Sequence, residues 1–290
     1  MDLATFVVQC LNSIQYGLLL FLLASGLTLI FGIMGVINLA HGSFYMIGAY
    51  VAFSLAPYLG QHFITMLVVG VLIAVALGYL LEWAFFSFLY ERDHLQQVLM
   101  TYGLILVFEG LRAILVDNDV HGLEKPAWLA GSFPLMGMMQ YPWYNVFAAV
   151  ACLVVALLMY YTVNRTRLGM MIRAGASNRD MVRGLGIDIK RLYRIELAVG
   201  APLAALAGMI AAPMSSVYPN MGSSVLIICF VVVVIGGIGS ITGALIASLL
   251  VGFVDTFGKV FFQELSGMSI YLLMAVILVW RPEGLLGKRS

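Results

Sequence analysis

Six residues, Asn38-Leu39-Ala40-His41-Gly42-Ser43, set an amide, an imidazole and a hydroxyl between two apolar runs, with no compensating charge beside them. In hydrocarbon each of these groups must face protein, water or a ligand. Two chemistries suit them. A half-helix starting near Phe44 and capped by Asn38 or Ser43 would aim amide N–H groups and its positive dipole end at an anion such as a carboxylate. A His41 base with a Ser43 nucleophile would suit covalent catalysis, but no third group orients the imidazole and no charge fixes a substrate. A structural role also fits, in which Asn38 and His41 satisfy backbone at a tight connection.

A second polar interruption, Gly236-Gly237-Ile238-Gly239-Ser240, is only superficially like a phosphate loop. No Lys-Ser/Thr follows the glycines, so no nucleotide site is expected and any ATP must be hydrolysed by another polypeptide. The segment reads as a tight break between spans, and with 38–43 it is a candidate for lining a path. Glu109 with Arg112 (i,i+3) and Asp255 with Lys259 (i,i+4) are spaced to pair on helices. They are either an ion relay or, more simply, neutralised pairs near an interface. Glu82 has no such neighbour. Cys10, Cys152 and Cys229 lie in apolar segments, so neither disulfides nor a metal site are expected.

These groups need elements to hold them, and composition says what kind. Hydrophobic residues make up 62% of the chain and charged ones 10%; the mean hydropathy is +1.02. Residues 3–81 contain no Asp, Glu, Lys or Arg. A net charge of +1 argues against nucleic-acid binding. The expected fold is an all-α, polytopic transmembrane helical bundle of about 8–10 spans, some broken or re-entrant. Apolar runs fall near 5–31, 37–59, 63–90, 97–116, 142–163, 192–215, 222–239, 241–258 and 268–281. With nine spans, or any odd number, the N-terminus lies outside.

Residues 164–194 carry eight of the fifteen basic residues: Arg165, Arg167, Arg173, Arg179, Arg183, Lys190, Arg191 and Arg194. This excess places the loop in the cytoplasm and makes it a docking surface for a cytoplasmic partner. The tail 281–290 is also basic and expected inside. Residues 117–141, acidic and Pro-containing, with Trp128 and Trp143 as interfacial anchors, read as an external loop. Gly200, Ala204, Gly208 and Ala212 form a stripe of small residues for close helix packing, within the subunit or across a dimer. Pro202 is placed to kink that helix and Pro213 to end it. The stretches 29–50 and 234–252 are both apolar runs broken by glycine and polar residues, a hint of internal symmetry that in transporters points to the substrate path.

The chain resembles the branched-chain amino acid permeases of ATP-binding-cassette importers. The stretches that carry the likeness are GLTLIFGIMGVINLAHGSFYMIGAYV (26–51), RTRLGMMIRAGASNRDMVRGLGIDIKRLYRI (165–195), VIGGIGSITGALIASLLVG (234–252) and RPEGLLG (281–287). The I-N-x-A-H-G form and short length are similar to the smaller, H-type subunit. The resemblance implies a single permease domain over 1–290, working with a larger related permease subunit, two cytoplasmic ATPases and a periplasmic binding protein in a bacterial inner membrane. It implies no cofactor in this chain, ATP-Mg being held by the ATPases. Ala174-Gly175-Ala176 and Gly184-Leu185-Gly186 match the family's loop, and with Arg183 the residues Ala174, Gly175, Ala176, Gly184 and Gly186 are the expected ATPase docking residues, on and just after a helix over 172–184. Urea, short amides and aromatic acids are substrates of the same family. An ion-coupled secondary transporter is the alternative from another class; Glu109 or Asp255 would then be its coupling carboxylate.

Overall fold

The computed structural model describes residues 2–35, 38–59, 62–89, 92–135 and 139–287. Val36 of the stretch 29–50, Ile37 and Tyr90 of the expected runs, 136–138 of the external loop and 288–290 of the tail lie outside the described residues. Eleven α-helices follow in order: α1 (Leu3–Met34), α2 (His41–Leu59), α3 (Phe63–Ala84), α4 (His94–Leu115), α5 (Trp143–Arg165), α6 (Arg167–Ser177), α7 (Arg179–Gly184), α8 (Ile189–Ala211), α9 (Met221–Gly236), α10 (Ile241–Phe261) and α11 (Ser266–Trp280). Each of the nine apolar runs contains one helix. Six of these, α1, α3, α4, α5, α8 and α10, are long and apolar enough to cross a membrane, and two shorter apolar helices correspond to α9 and α11. The chain is a multi-pass membrane protein. The region 117–141 holds one addition to the helical expectation, an antiparallel hairpin of β1 (Ser132–Leu135) and β2 (Met139–Pro142).

The bundle has a hairpin end and a basic end. Thr5 in the first turn of α1 meets Met139 of β2, so α1 runs from the hairpin end toward the end that carries α6 and α7. α10 returns beside it, antiparallel: Gly17 packs on Leu249, and a Cβ on Gly252 would stand 2.6 Å from the Ser13 carbonyl.

α8 packs extensively against α1, α2 and α3. The small-residue stripe makes this possible. A Cβ on Gly200 would sit 3.1 Å from the Gly26 carbonyl of α1, and one on Gly208 would collide with the Tyr45 carbonyl of α2. Ala204 and Ala212 are buried on the same helix face and just beyond its end. Without a hydrophobic drive between helices in lipid, this close backbone approach supplies dispersion contact. The stripe is thus used inside the subunit. α8 carries Pro202 in its interior and stops at Ala211, before Pro213.

Glu82 is not alone. Its carboxylate Oε2 accepts from Arg194 Nε at 2.8 Å, joining the last turn of α3 to the first turns of α8. The partners are 112 residues apart, beyond any local spacing rule. Glu82 is fully buried while Arg194 is a third exposed. Arg194→Ala therefore removes a cationic partner from a buried carboxylate and should be destabilising, by about 3 kcal/mol, the lower end for breaking a buried pair. Thermal unfolding in detergent should show Glu82→Gln/Arg194→Ala to be more stable than Arg194→Ala alone. Equal stability of the two would assign the pair no structural weight.

Candidate functional site

α1 stays helical to Met34 and closes at Gly35 (φ 60°), whose N–H donates to Phe31. α2, however, begins well inside the bundle. His41 Nε2 lies 3.0 Å from the Leu23 carbonyl of α1. Leu23 precedes Met34 by eleven residues, so α2 starts about 16 Å short of the end of α1. The imidazole fills the space opposite Gly26, where a Cβ would come within 2.9 Å of the ring. A carbonyl only accepts, so Nε2 carries the hydrogen.

Around this anchor, polarity is left over. Asn38 and His41 are fully buried, and Ser43 nearly so. Neither amide atom of Asn38, nor Nδ1 of His41, has a hydrogen-bond partner among the described residues. Asn38 therefore does not cap α2 through its side chain. Its backbone carbonyl instead receives the His41 N–H at 3.3 Å, and Ala40 receives that of Ser43 at 3.0 Å. The start of α9 lies directly against this turn: a Cβ on Gly222 would stand 2.6 Å from the Gly42 carbonyl. Two helix N-termini thus meet inside the bundle, beside an unsatisfied amide and imidazole, a setting that favours a polar or anionic ligand group.

Gly236, Gly237, Gly239 and Ser240 have another setting. They form the α9–α10 turn, with Gly237 and Gly239 at φ 93° and 77° and Ser240 Oγ capping α10 at Gly243 N–H. The tail folds onto this turn, Leu285 and Leu286 N–H donating to the Ile235 and Gly236 carbonyls at 2.7 and 3.2 Å. Gly239 meets α1 at Gly32, whereas His41 meets it opposite Gly26, roughly 9 Å away along the helix. The turn and the 38–43 segment touch α1 at different levels. The matched stretches 29–50 and 234–252 thus pair a mid-bundle break with a turn at the basic end, and the helix start facing α2 belongs to α9.

The basic loop folds as two helices where one was expected over 172–184. Asn178 interrupts it and caps α7, its Oδ1 accepting from Met181 N–H at 2.9 Å. Thr166 caps α6 and Asp188 caps α8 in the same way. Gly175 is buried and Ala174 half-buried, whereas Ala176, Arg183, Gly184 and Gly186 are exposed. Leu168, Met170, Met181 and Leu185 stand exposed beside them. A Cβ on Gly184 or Gly186 would meet nothing within 4 Å.

The pairs anticipated on α4 and α10 are formed, Arg112 Nε to Glu109 at 3.0 Å and Lys259 Nζ to Asp255 at 2.6 Å. The carboxylate of Glu109 also accepts the Asn220 N–H at 3.1 Å, a contact with no local sequence signal. No cluster of metal-ligating side chains occurs among the described residues.

A family model described as the branched-chain amino acid transport system permease component matches residues 9–278. The chain belongs to this permease family. The permease protein BraD of the high-affinity branched-chain amino acid transport system of Pseudomonas aeruginosa is 29% identical, over 98% of this chain and 96% of that protein. LivH of the corresponding Escherichia coli K12 system is 28% identical over the same shares. LivM of that bacterium is 27% identical over 91% of this chain but only 67% of its own length. By extent the permease is of the smaller, H type. No solved structure matches the chain.

Leaving a buried polar group without a partner costs about 1–3 kcal/mol. Asn38→Leu, close in volume, should therefore leave the permease as stable or raise its melting temperature, while lowering uptake. Reduced stability with wild-type uptake would make Asn38 a packing residue.

Proposed function

We propose that the chain is the H-type permease subunit of an ATP-driven importer in a bacterial inner membrane, translocating branched-chain or other hydrophobic amino acids. The end-to-end match to LivH and BraD carries this reading. A larger related permease subunit, two cytoplasmic ATPases and a periplasmic binding protein complete the assembly, with ATP and Mg²⁺ bound on the ATPases and no cofactor in this chain. The basic end faces the cytoplasm and the hairpin end faces outward, in line with the Lys/Arg bias of 164–194. The start of α1 and the tail lie at opposite ends, as an odd number of crossings requires.

Substrate released at the hairpin end, beside 117–135, passes the Asn38–Ser43 segment, and the path continues toward Gly236–Ser240. ATP-driven closure of the ATPases pushes on α6 and α7 and switches the spans between outward- and inward-facing arrangements. The exposed apolar side chains of α6 and α7, stranded among basic residues, are what a missing partner surface would cover. The formed Glu109–Arg112 and Asp255–Lys259 pairs weigh against an ion-coupled carrier, which needs a carboxylate free to titrate or bind an ion.

Purification of the tagged chain from native membranes in mild detergent should bring down two ATPases and a second permease subunit. A chain that purifies alone and transports without ATP would make it a secondary transporter. The ligand of the co-purified binding protein then decides between hydrophobic amino acids and urea, amides or aromatic acids. Space around Gly184 gives a sharper test, since this exposed position leaves a Cβ with nothing in the permease itself within 4 Å. Gly184→Trp and Arg183→Glu should leave the subunit folded and inserted but abolish ATPase co-purification and uptake. Normal values in both variants would remove the docking surface from this loop.

A further inference from the structure

We propose that Glu109 is a positioning residue for transport, holding the start of α9 to the outer end of α4 so that the external loop and the mid-bundle segment move together. The inference rests on the transport reading above. α4 is loosely seated. Leu95, Leu99, Tyr102 and Leu106 on its outer face are exposed, and a cavity of about 380 Å³ separates its other face from α2 and α3, walled by Met46, Leu77, Phe108 and Leu111. A helix so little packed takes its position from its ends. At the basic end, Gln97 Nε2 donates to the carbonyls of Leu89 and Arg92 at 3.1 and 3.0 Å.

The hairpin end is knit more elaborately. Arg112 donates from Nη1 to the Asp117 carbonyl and from Nη2 to Asn118 Oδ1, both at 2.9 Å, fixing the loop that follows α4. That loop is zipped to the segment before α9: His121 and Val217 exchange backbone hydrogen bonds of 2.8 Å in both directions. The His121 ring also stacks on Phe53 of α2 at 4.4 Å. Glu109 closes the circuit. One carboxylate oxygen takes the Arg112 Nε–H and the other takes the Asn220 N–H. Asn220 has φ 61°, the only positive φ outside glycine among the described residues, and this left-handed turn leads directly into α9. Two residues on, Gly222 packs against Gly42. A displacement of the external loop is therefore carried through Glu109 and Asn220 to the start of α9, and from there to α2. With both oxygens engaged, the carboxylate works as a tether.

The test uses the whole assembly in liposomes, measuring leucine uptake and ATP hydrolysis together with leucine-loaded binding protein. Glu109→Gln keeps an acceptor for Asn220 and should transport within about two-fold of wild type, whereas Glu109→Leu should lose about ten-fold in maximal uptake. The apparent affinity for the loaded binding protein should be unchanged and ATP hydrolysis largely retained, which marks uncoupling. Wild-type uptake by Glu109→Leu overturns the proposal, and so does a Gln variant as defective as Leu. Should the Leu variant fail to assemble, His121→Cys with Val217→Cys decides: hydrogen-bonded antiparallel partners stand about 5.5 Å apart, within disulfide reach. Oxidation should leave uptake at the level of the reduced variant, because the two segments it joins already move together; uptake arrested by oxidation and restored by reductant overturns the tether. A wild-type assembly that does not transport leucine at all refutes the transport reading instead.

Discussion

In hydrocarbon no water repairs an interrupted backbone, so every break in a spanning helix must be satisfied by another part of the chain. Much of this fold follows from how three breaks are closed. The first, between α1 and α2, is held by Gly35 N–H on Phe31 and by His41 on the Leu23 carbonyl. The second, before α9, is held by the strand-like exchange of Val217 with His121 and by the Glu109 carboxylate on Asn220. The third, between α9 and α10, is closed by the tail, whose Leu285 and Leu286 amides serve as the missing donors for the last carbonyls of α9. Apart from the local Gly35–Phe31 bond, each partner is remote in sequence or lies on another helix, which ties the bundle together.

Breaks of this kind require backbones to approach closely, and α8 makes that possible. Its small residues let α1 and α2 lie against it, with Gly200 on Gly26 and Gly208 on Tyr45. Gly26 in turn leaves the slot that the His41 ring occupies. The position of the imidazole is thus a consequence of the small-residue packing, and α2 can start mid-bundle because α8 and α1 leave room for it. Among the described residues neither polar atom of the buried Asn38 amide has a hydrogen-bond partner, and Nδ1 of the neighbouring His41 has none either. A group kept unpaired at such cost, where two helix N-termini converge, is suited to something that arrives and leaves.

Apolar runs, charge placement and glycine spacing are enough to read a polytopic helical bundle with one helix in each of the nine runs, six of them long and apolar enough to cross a membrane, together with the small-residue stripe, the two local ion pairs and the polar break at 38–43. What sequence did not disclose depended on contacts across long separations. Glu82 was isolated in sequence and is paired with Arg194; Glu109 was assigned only its i+3 neighbour and also holds Asn220. The basic loop reads as one helix over 172–184, whereas Asn178, a residue type favoured at N-caps over helix interiors, divides it by accepting from Met181 N–H. The likeness of 29–50 to 234–252 was a similarity of composition, and composition does not specify the depth at which a chain turns.

α9 shows what these long-range ties achieve together. It is a 16-residue helix whose first turn is gripped by a carboxylate from α4 and whose last carbonyls are gripped by the tail. Bound at both ends by segments outside its own hairpin, it behaves as a rod between the two faces of the bundle. Its flank carries Gly222, pressed to Gly42 beside the unpartnered Asn38. A rod fixed only by its neighbours in sequence would accommodate movement by fraying at its ends. Clamped as it is, α9 is held to respond as a unit, and it lies against the segment where the Asn38 amide and His41 Nδ1 lack partners among the described residues.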